Sequence, residues 1–188
     1  SPQRILVVGA GHVGLFAALR LSKKLSAREA EVIVVDPQPH MTYQPFLPEA
    51  AAGSLEPRHV VVQLRKVLHD CEVITARVEA IDHANRTVRV EPVQGDSYDL
   101  AYDEIVVALG SVARTLPIPG LAERAMGFKQ IEEAIALRNQ VLDRLDLAAS
   151  VRDQETRSCA LTFVFVLYFQ GALGDVDAAR GATRTWLF

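Results

Sequence analysis

The sequence predicts an α/β chain built on a largely parallel sheet, with helices on both faces and a small antiparallel β-meander inserted. Three observations carry this. Ile5–Val8, Val32–Val35 and Ile105–Gly110 are short apolar runs rich in Val and Ile, the composition of strands buried on both faces. Between the first two lies a helical pattern over about Val13–Leu25. Between the second and third, short alternating runs are separated by His83-Ala84-Asn85 and Gln94-Gly95-Asp96-Ser97, both turn signals.

The first unit is the most informative. Ile5–Val8 runs into Gly9-x-Gly11-x-x-Gly14. In this spacing the first glycine allows the tight turn out of the strand, and the second lets a pyrophosphate reach the backbone. The third lets the following helix pack closely. His12 lies inside the loop, where its backbone matters more than its ring. The helix has no acid in its first turn to repel a phosphate, and Arg20, Lys23 and Lys24 suit its negative end. Val13, Ala17, Leu21 and Leu25 are expected on its packed face. Val32–Val35 then ends in Asp36, about 22 positions past Gly14, close to the ~20 expected of an acid that binds a ribose hydroxyl. An acid there disfavours a 2′-phosphate on that ribose, since two negative charges would meet. Strand, glycines, helix, strand and terminal acid in this order specify a Rossmann-like nucleotide-binding unit.

Further along, Pro37–Pro48 reads as a proline-rich loop placed to line the ligand, followed by a helical turn at Glu49–Ala52 closed by Gly53. Val60–Leu68 fits either a short helix or an extended piece. Glu72–Ala76 reads as a strand returning to the sheet; Val78–Asp82, Arg86–Val90 and Tyr98–Tyr102 read as the meander. Ile131–Leu147 is an amphipathic helix with Ile131, Ile135, Leu142 and Leu145 on one face, and Ala160–Phe169 is strand-like.

Composition narrows the function classes. The 188 residues are 49% hydrophobic, enough for one well-buried domain. A net charge of −3 without a basic run leaves no footprint for nucleic acid. Cys71 and Cys159 make no C-x-x-C, so neither a disulfide framework nor a metal site is expected, and a reduced cytoplasmic setting is the simplest. The chain enters a core strand at once, without a signal-peptide pattern, and no run reaches the ~18 apolar residues of a membrane span. His40 faces either ligand or solvent, while His59, His69 and His83 read as surface residues. No Ser-His-Asp or Cys-His constellation emerges from the spacings.

Beyond the glycine motif and Asp36, the stretches Tyr43-Gln-Pro-Phe-Leu-Pro-Glu49, Tyr102-Asp-Glu-Ile-Val-Val-Ala-Leu-Gly110 and Ile118-Pro-Gly120…Phe128-Lys129…Glu133-Ala134-Ile135…Leu137-Arg138-Asn139 resemble type II NADH dehydrogenases. These are flavoprotein NADH:quinone oxidoreductases of the respiratory chain, in the superfamily of pyridine nucleotide-disulfide oxidoreductases. The resemblance covers about Arg4–Val166 and implies FAD as cofactor, with NADH and a quinone as partners. Cofactor-binding positions follow from it: Gly9, Gly11, His12, Val13 and Gly14 at the pyrophosphate, Asp36 and Pro37 at the adenosine ribose, Val78 at the adenine, and Ala108, Leu109 and Gly110 beneath the flavin. Gln44 and Pro45 are the implied catalytic positions, near the isoalloxazine and the quinone. The resemblance also leaves room, in the full-length protein, for a homodimer and for peripheral contact with the inner face of the cell membrane. No cysteine occurs between Asp36 and Asp70, where disulfide reductases of the superfamily carry their redox pair, so direct transfer from flavin to acceptor is expected.

The implied organisation is an FAD-binding domain over residues 1–166, its meander at about 78–102, and an irregular tail over 167–188. After Val166 the family continues into a second G-x-G-x-x-G that opens an NADH domain; here Leu167-Tyr-Phe-Gln-Gly171 follows instead, which resembles the core of a viral protease site. Gly171-Ala-Leu-Gly-Asp175 resembles a late family motif whose acid binds the ribityl chain, without the strand that should precede it. Two alternatives stay open: NAD rather than FAD on the glycine loop, and a nucleotide-binding remnant without turnover of its own.

Overall fold

The computed structural model describes residues 2–111 and 118–165. Two compact units divide the chain, Ser1–Arg138 and Asn139–Phe188.

In the first unit, strands β1 (Gln3–Val8), β2 (Ala30–Asp36), β5 (Glu72–Asp82), β6 (Thr87–Pro92), β7 (Tyr98–Ala101) and β8 (Glu104–Val107) form one sheet in the order β7-β6-β5-β2-β1-β8. β8, β1, β2 and β5 are parallel, with Leu6 opposite both Ile33 and Ile105. β5, β6 and β7 pair antiparallel. Ile5–Val8 and Val32–Val35 are therefore neighbouring parallel strands, with the first run interior to the sheet.

Helix α1 (His12–Lys24) follows β1. Its buried residues are Gly14, Leu15 and Ala18, which join Val7, Val32 and Val34 on one face of the sheet. The expected stripe holds at Leu21, which packs against this cluster, but not at its start: Val13 is 70% exposed, and Leu15 and Ala18 take the packed side. The register follows from Gly14, whose missing side chain turns the helix's closest approach toward β1. On the opposite face, Leu6, Val8, Ile33 and Val35 pack with Ala76, Val88, Val90 and Tyr102, so the meander supplies much of that layer.

Glu72–Ala76 and Val78–Asp82, expected as two strands, are the single strand β5 with an irregularity between Val78 and Ala80. β5 pairs parallel with β2 up to Thr75 and antiparallel with β6 from Ala76, and the irregularity lies beyond that change, inside the β6 pairing. The loop after Asp36 is also more ordered than expected. It contains β3 (His40–Thr42), a 3-10 turn at Gln44–Phe46 and helix α2 (Leu47–Ala51). β3 pairs antiparallel with β4 (Val61–Gln63), which runs directly into α3 (Leu64–Val67). Val60–Leu68 is thus both extended and helical in turn. Gly53 has φ +78° just past α2, as its capping position requires. A short helix α4 (Leu121–Arg124) precedes α5 (Ile131–Ser150). Ile131 and Ala134 of α5 are buried with Leu47, Ala50 and Val60.

In the second unit, α5 continues past the expected Leu147, and Leu142 and Leu145 lie exposed, as Ile135 does in the first. Their apolar periodicity is real, but it is not buried within the described residues. Helix α6 (Gln154–Ala160) replaces the strand expected at Ala160–Phe169: Ala160 closes the helix and 162–165 have no regular structure. The cause is local, since the Asp153 carboxylate accepts the Thr156 backbone N–H at 2.8 Å as an N-cap. Positions 166–169, the tail and the Gly171–Asp175 motif lie outside the described residues.

Candidate functional site

The carboxyl ends of β1, β2, β5 and β8 open onto one cleft of about 1130 Å3. Ligands of open parallel sheets bind at such ends. Every sequence-predicted site residue lines this cleft except Gly14: Gly9, Gly11, His12, Val13, Asp36, Pro37, Gln44, Pro45, Val78, Ala108, Leu109 and Gly110.

The three glycines have three distinct reasons. Gly9 has φ +93°, and a Cβ there would lie 2.9 Å from the Ala108 carbonyl carbon. A Cβ on Gly14 would lie 2.9 Å from the Gly9 carbonyl carbon and 3.3 Å from the Ala108 Cβ. Both positions are closed by the protein's own backbone. Gly11 differs: an added Cβ would meet nothing within 4 Å. Its φ of −62° and ψ of −167° suit any residue. Nothing in the fold demands a glycine there, and the space beside it opens onto the cleft, as a close-lying phosphate group requires. Gly11 caps α1, whose first turn carries no acid, so the positive end of the helix faces this space.

Asp36 holds the loop. Its Oδ2 accepts the Ala10 N–H at 2.6 Å and its Oδ1 accepts the Gln38 N–H at 2.7 Å. Each oxygen has a second lone pair for a ligand hydroxyl. The Gly9 N–H donates to Val35 O and the Ala108 N–H to Val8 O, both at 2.8 Å, so the glycine loop and the turn after β8 are fixed to the same sheet.

Opposite the glycine loop, Gln44 and Pro45 sit in the 3-10 turn after β3. Gln44 Nε2 donates to Lys129 O at 3.4 Å. Lys129 Nζ in turn donates to Ser111 Oγ at 2.8 Å and Ser111 O at 3.2 Å. His40 lines the cleft with its Nε2 buried 3.7 Å from Glu132 Oε1, rather than solvated. Arg77, Ser111, Lys129 and Gln130 also line the cleft without a role from sequence, while Thr42 and Tyr43 do so from the Pro37–Pro48 loop expected there. Their signal was weak because each belongs to a short connector or to a strand end. Tyr43 and Lys129 stand within stretches that carry the family resemblance. Among the described residues no cluster of His, Cys, Asp and Glu could hold a metal. Cys71 and Cys159 are free thiols; burial pushes the Cys71 thiol above its ordinary value, away from the reactive thiolate.

Comparison with known proteins agrees with this geometry. Residues 3–152 match the pyridine nucleotide-disulphide oxidoreductase family. The chain is 31% identical over 166 residues to a type II NADH:quinone oxidoreductase of Mycobacterium tuberculosis, covering 87% of this chain and 35% of that protein. It is 27% identical over 176 residues to an external alternative NADH-ubiquinone oxidoreductase of Yarrowia lipolytica mitochondria, covering 88% and 30% respectively. It thus spans about a third of the length of such relatives. Among solved structures, NDH2 of Plasmodium falciparum superposes with a TM-score of 0.78 at 20% identity, over 86% of this chain and 33% of that one. The same protein in complex with NADH gives a TM-score of 0.75 at 19% identity, over 84% and 32%. These likenesses confirm the Rossmann-like α/β fold and the expected relationship to type II NADH dehydrogenases.

Proposed function

Because the chain belongs to the pyridine nucleotide-disulphide oxidoreductase family, we propose that its cleft binds FAD and serves as the flavin-binding part of an NADH:quinone oxidoreductase. The observation that carries this is Gly11, a glycine with no structural demand upon it, open on the side where a pyrophosphate would lie. Asp36 marks the adenosine side and Val78 stands one strand further out. Ala108–Gly110 lies across β1, on the side left for the isoalloxazine, with Gln44 and Pro45 facing it. A bound flavin supplies two-electron chemistry. The chain's residues would hold the pyrophosphate at the α1 end, fix the ribose at Asp36 and close the ring side with neutral groups and Lys129. No thiol stands between Asp36 and Asp70 to relay electrons, which favours direct transfer to an acceptor.

NADH as donor, a quinone as acceptor, a homodimer and peripheral attachment to a membrane belong to this reading as properties of the intact protein. No helix among the described residues is long and apolar enough to cross a membrane, which fits attachment from one side. Gel filtration of the chain after incubation with FAD or with NAD tests the assignment. We expect flavin absorbance to co-elute with protein. Retention of NAD with no retention of FAD would assign the glycine loop to the nicotinamide nucleotide instead.

A further inference from the structure

The cleft has two sides set by strand order. Asp36, Arg77 and Val78 belong to β2 and β5, while Ala108–Ser111 follows β8, with the glycine loop of β1 between them. A dinucleotide with its pyrophosphate at the glycine loop and its adenosine ribose at Asp36 lays its flavin on the β8 side. The lining there is Gln44, Pro45, Ala108, Leu109, Gly110 and Ser111, all neutral, together with Lys129. Lys129 is the one charged residue of that side among the described residues.

Lys129 is also held in place. Glu133 Oε2 accepts its backbone N–H at 2.6 Å and that of Gln130 at 2.9 Å. Gln44 donates to its carbonyl, and its ammonium rests on both oxygens of Ser111. A Cβ at Gly127 would lie 3.0 Å from the Glu133 carboxyl carbon, so a glycine there leaves that carboxylate free to take both amides. Two of the three ammonium donors are used, and one remains for a ligand.

We propose that Lys129 supplies the positive charge that stabilises the reduced flavin and so sets its reduction potential. This rests on the FAD reading above. A flavin reduced by hydride transfer from NADH would take up two electrons and one proton, and so one net negative charge. The Lys129 ammonium on that side of the cleft would favour this form over the neutral oxidised one.

Lys129→Gln, Lys129→Arg and Ser111→Ala test this in the 188-residue chain reconstituted with FAD, by dye-equilibrated reductive titration, with the Kd of oxidised FAD measured alongside. Lys129→Gln should shift the reduction equilibrium about tenfold toward the oxidised form, a midpoint lower by ~30 mV for a two-electron couple. Lys129→Arg should restore it, and Ser111→Ala should give a smaller shift of the same sign. An unchanged midpoint in Lys129→Gln with FAD still bound overturns the proposal and leaves the FAD reading standing. A weakened Kd with an unchanged midpoint overturns it too, placing the charge against the phosphates. Failure of the parent chain to retain any FAD removes both.

Discussion

Gly11 and Gly14 lie three residues apart, yet alanine should fail at them for opposite reasons. At Gly14 the new methyl would sit on the Gly9 carbonyl group, 2.9 Å from its carbon, with the Ala108 Cβ at 3.3 Å. An unstrained carbon–carbon contact needs ~3.5 Å or more, so α1 must move from β1 by several tenths of an ångström. Overpacking of this kind costs about 1–3 kcal/mol, less the ~1 kcal/mol that alanine gains over glycine in a helix. Because the obstacle is backbone, the upper half of that range is expected. At Gly11 the methyl meets nothing within 4 Å and the backbone angles are ordinary, so the fold should lose at most ~1 kcal/mol through a poorer cap. The ligand is affected instead: the methyl occupies the phosphate's approach, and FAD affinity should fall at least about tenfold, ~1.4 kcal/mol. Urea unfolding without FAD, paired with FAD titration by flavin fluorescence, separates the two. Gly11→Ala with parental FAD affinity would refute the placement of the pyrophosphate. Gly14→Ala with parental unfolding free energy would refute the packing argument.

Asp36→Asn keeps the shape but turns one acceptor into an NH2 facing a backbone N–H; we expect a loss of about 1–3 kcal/mol without ligand and weaker FAD binding, and an unchanged ligand-free melting temperature would show that Asp36 does not clamp the Ala10 amide. The Asp82 and Asp153 carboxyls are held below their ordinary value of 3.8, chiefly by hydrogen bonds from Asn85 and Thr156. A lowered folded value means stability present above pH 3.8 and lost as pH falls through the depressed pKa, so Asp82→Asn and Asp153→Asn should each flatten the acid limb of melting temperature against pH. An acid limb identical to the parent's would show that neither hydrogen bond differs from the unfolded state. The sequence holds a single G-x-G-x-x-G. The 188 residues with FAD and a soluble quinone should therefore lack saturable NADH turnover, since positioning contributes ~7–11 kcal/mol; family-like saturation kinetics would reveal a nicotinamide site built elsewhere in the chain.

The strand–glycine–helix–strand unit and its acid could be read from sequence because each part has a local cause. Gly9 is forced by φ, and Ile5–Val8 is apolar because two faces are covered. The small sheet of β3 and β4 was hidden because three-residue strands flanked by prolines carry no period. β5 reads as two strands because Arg77 and Glu79 interrupt its apolar run, just past the point where it leaves β2 at Thr75 and takes up β6 at Ala76. Ala160–Phe169 looks like a strand by hydrophobicity, but the Asp153 cap seven residues before Ala160 starts a helix that runs to that residue. Lys129 could not be placed from sequence at all. Its position depends on Ser111 and Gln44, 18 and 85 positions away.

The pairing of β1 with β8 brings Val8 beside Val107, so the wall of the cleft at Ala108 is made about a hundred residues after the glycine loop. Closing so long a loop is entropically slow, and contacts of this separation form late. During synthesis the glycine loop therefore emerges early and waits, its positive helix end accessible, while β2, β5 and the meander assemble. At ~5–20 residues per second that wait lasts several seconds or longer. For that interval Gly9 and Gly14 have no Ala108 to pack against, and a nucleotide has half a site. On the FAD reading, cofactor capture should then follow the pairing of β8 rather than nucleate the fold. Destabilising the distant β8 should slow flavin uptake during refolding even when every residue that touches the cofactor is intact.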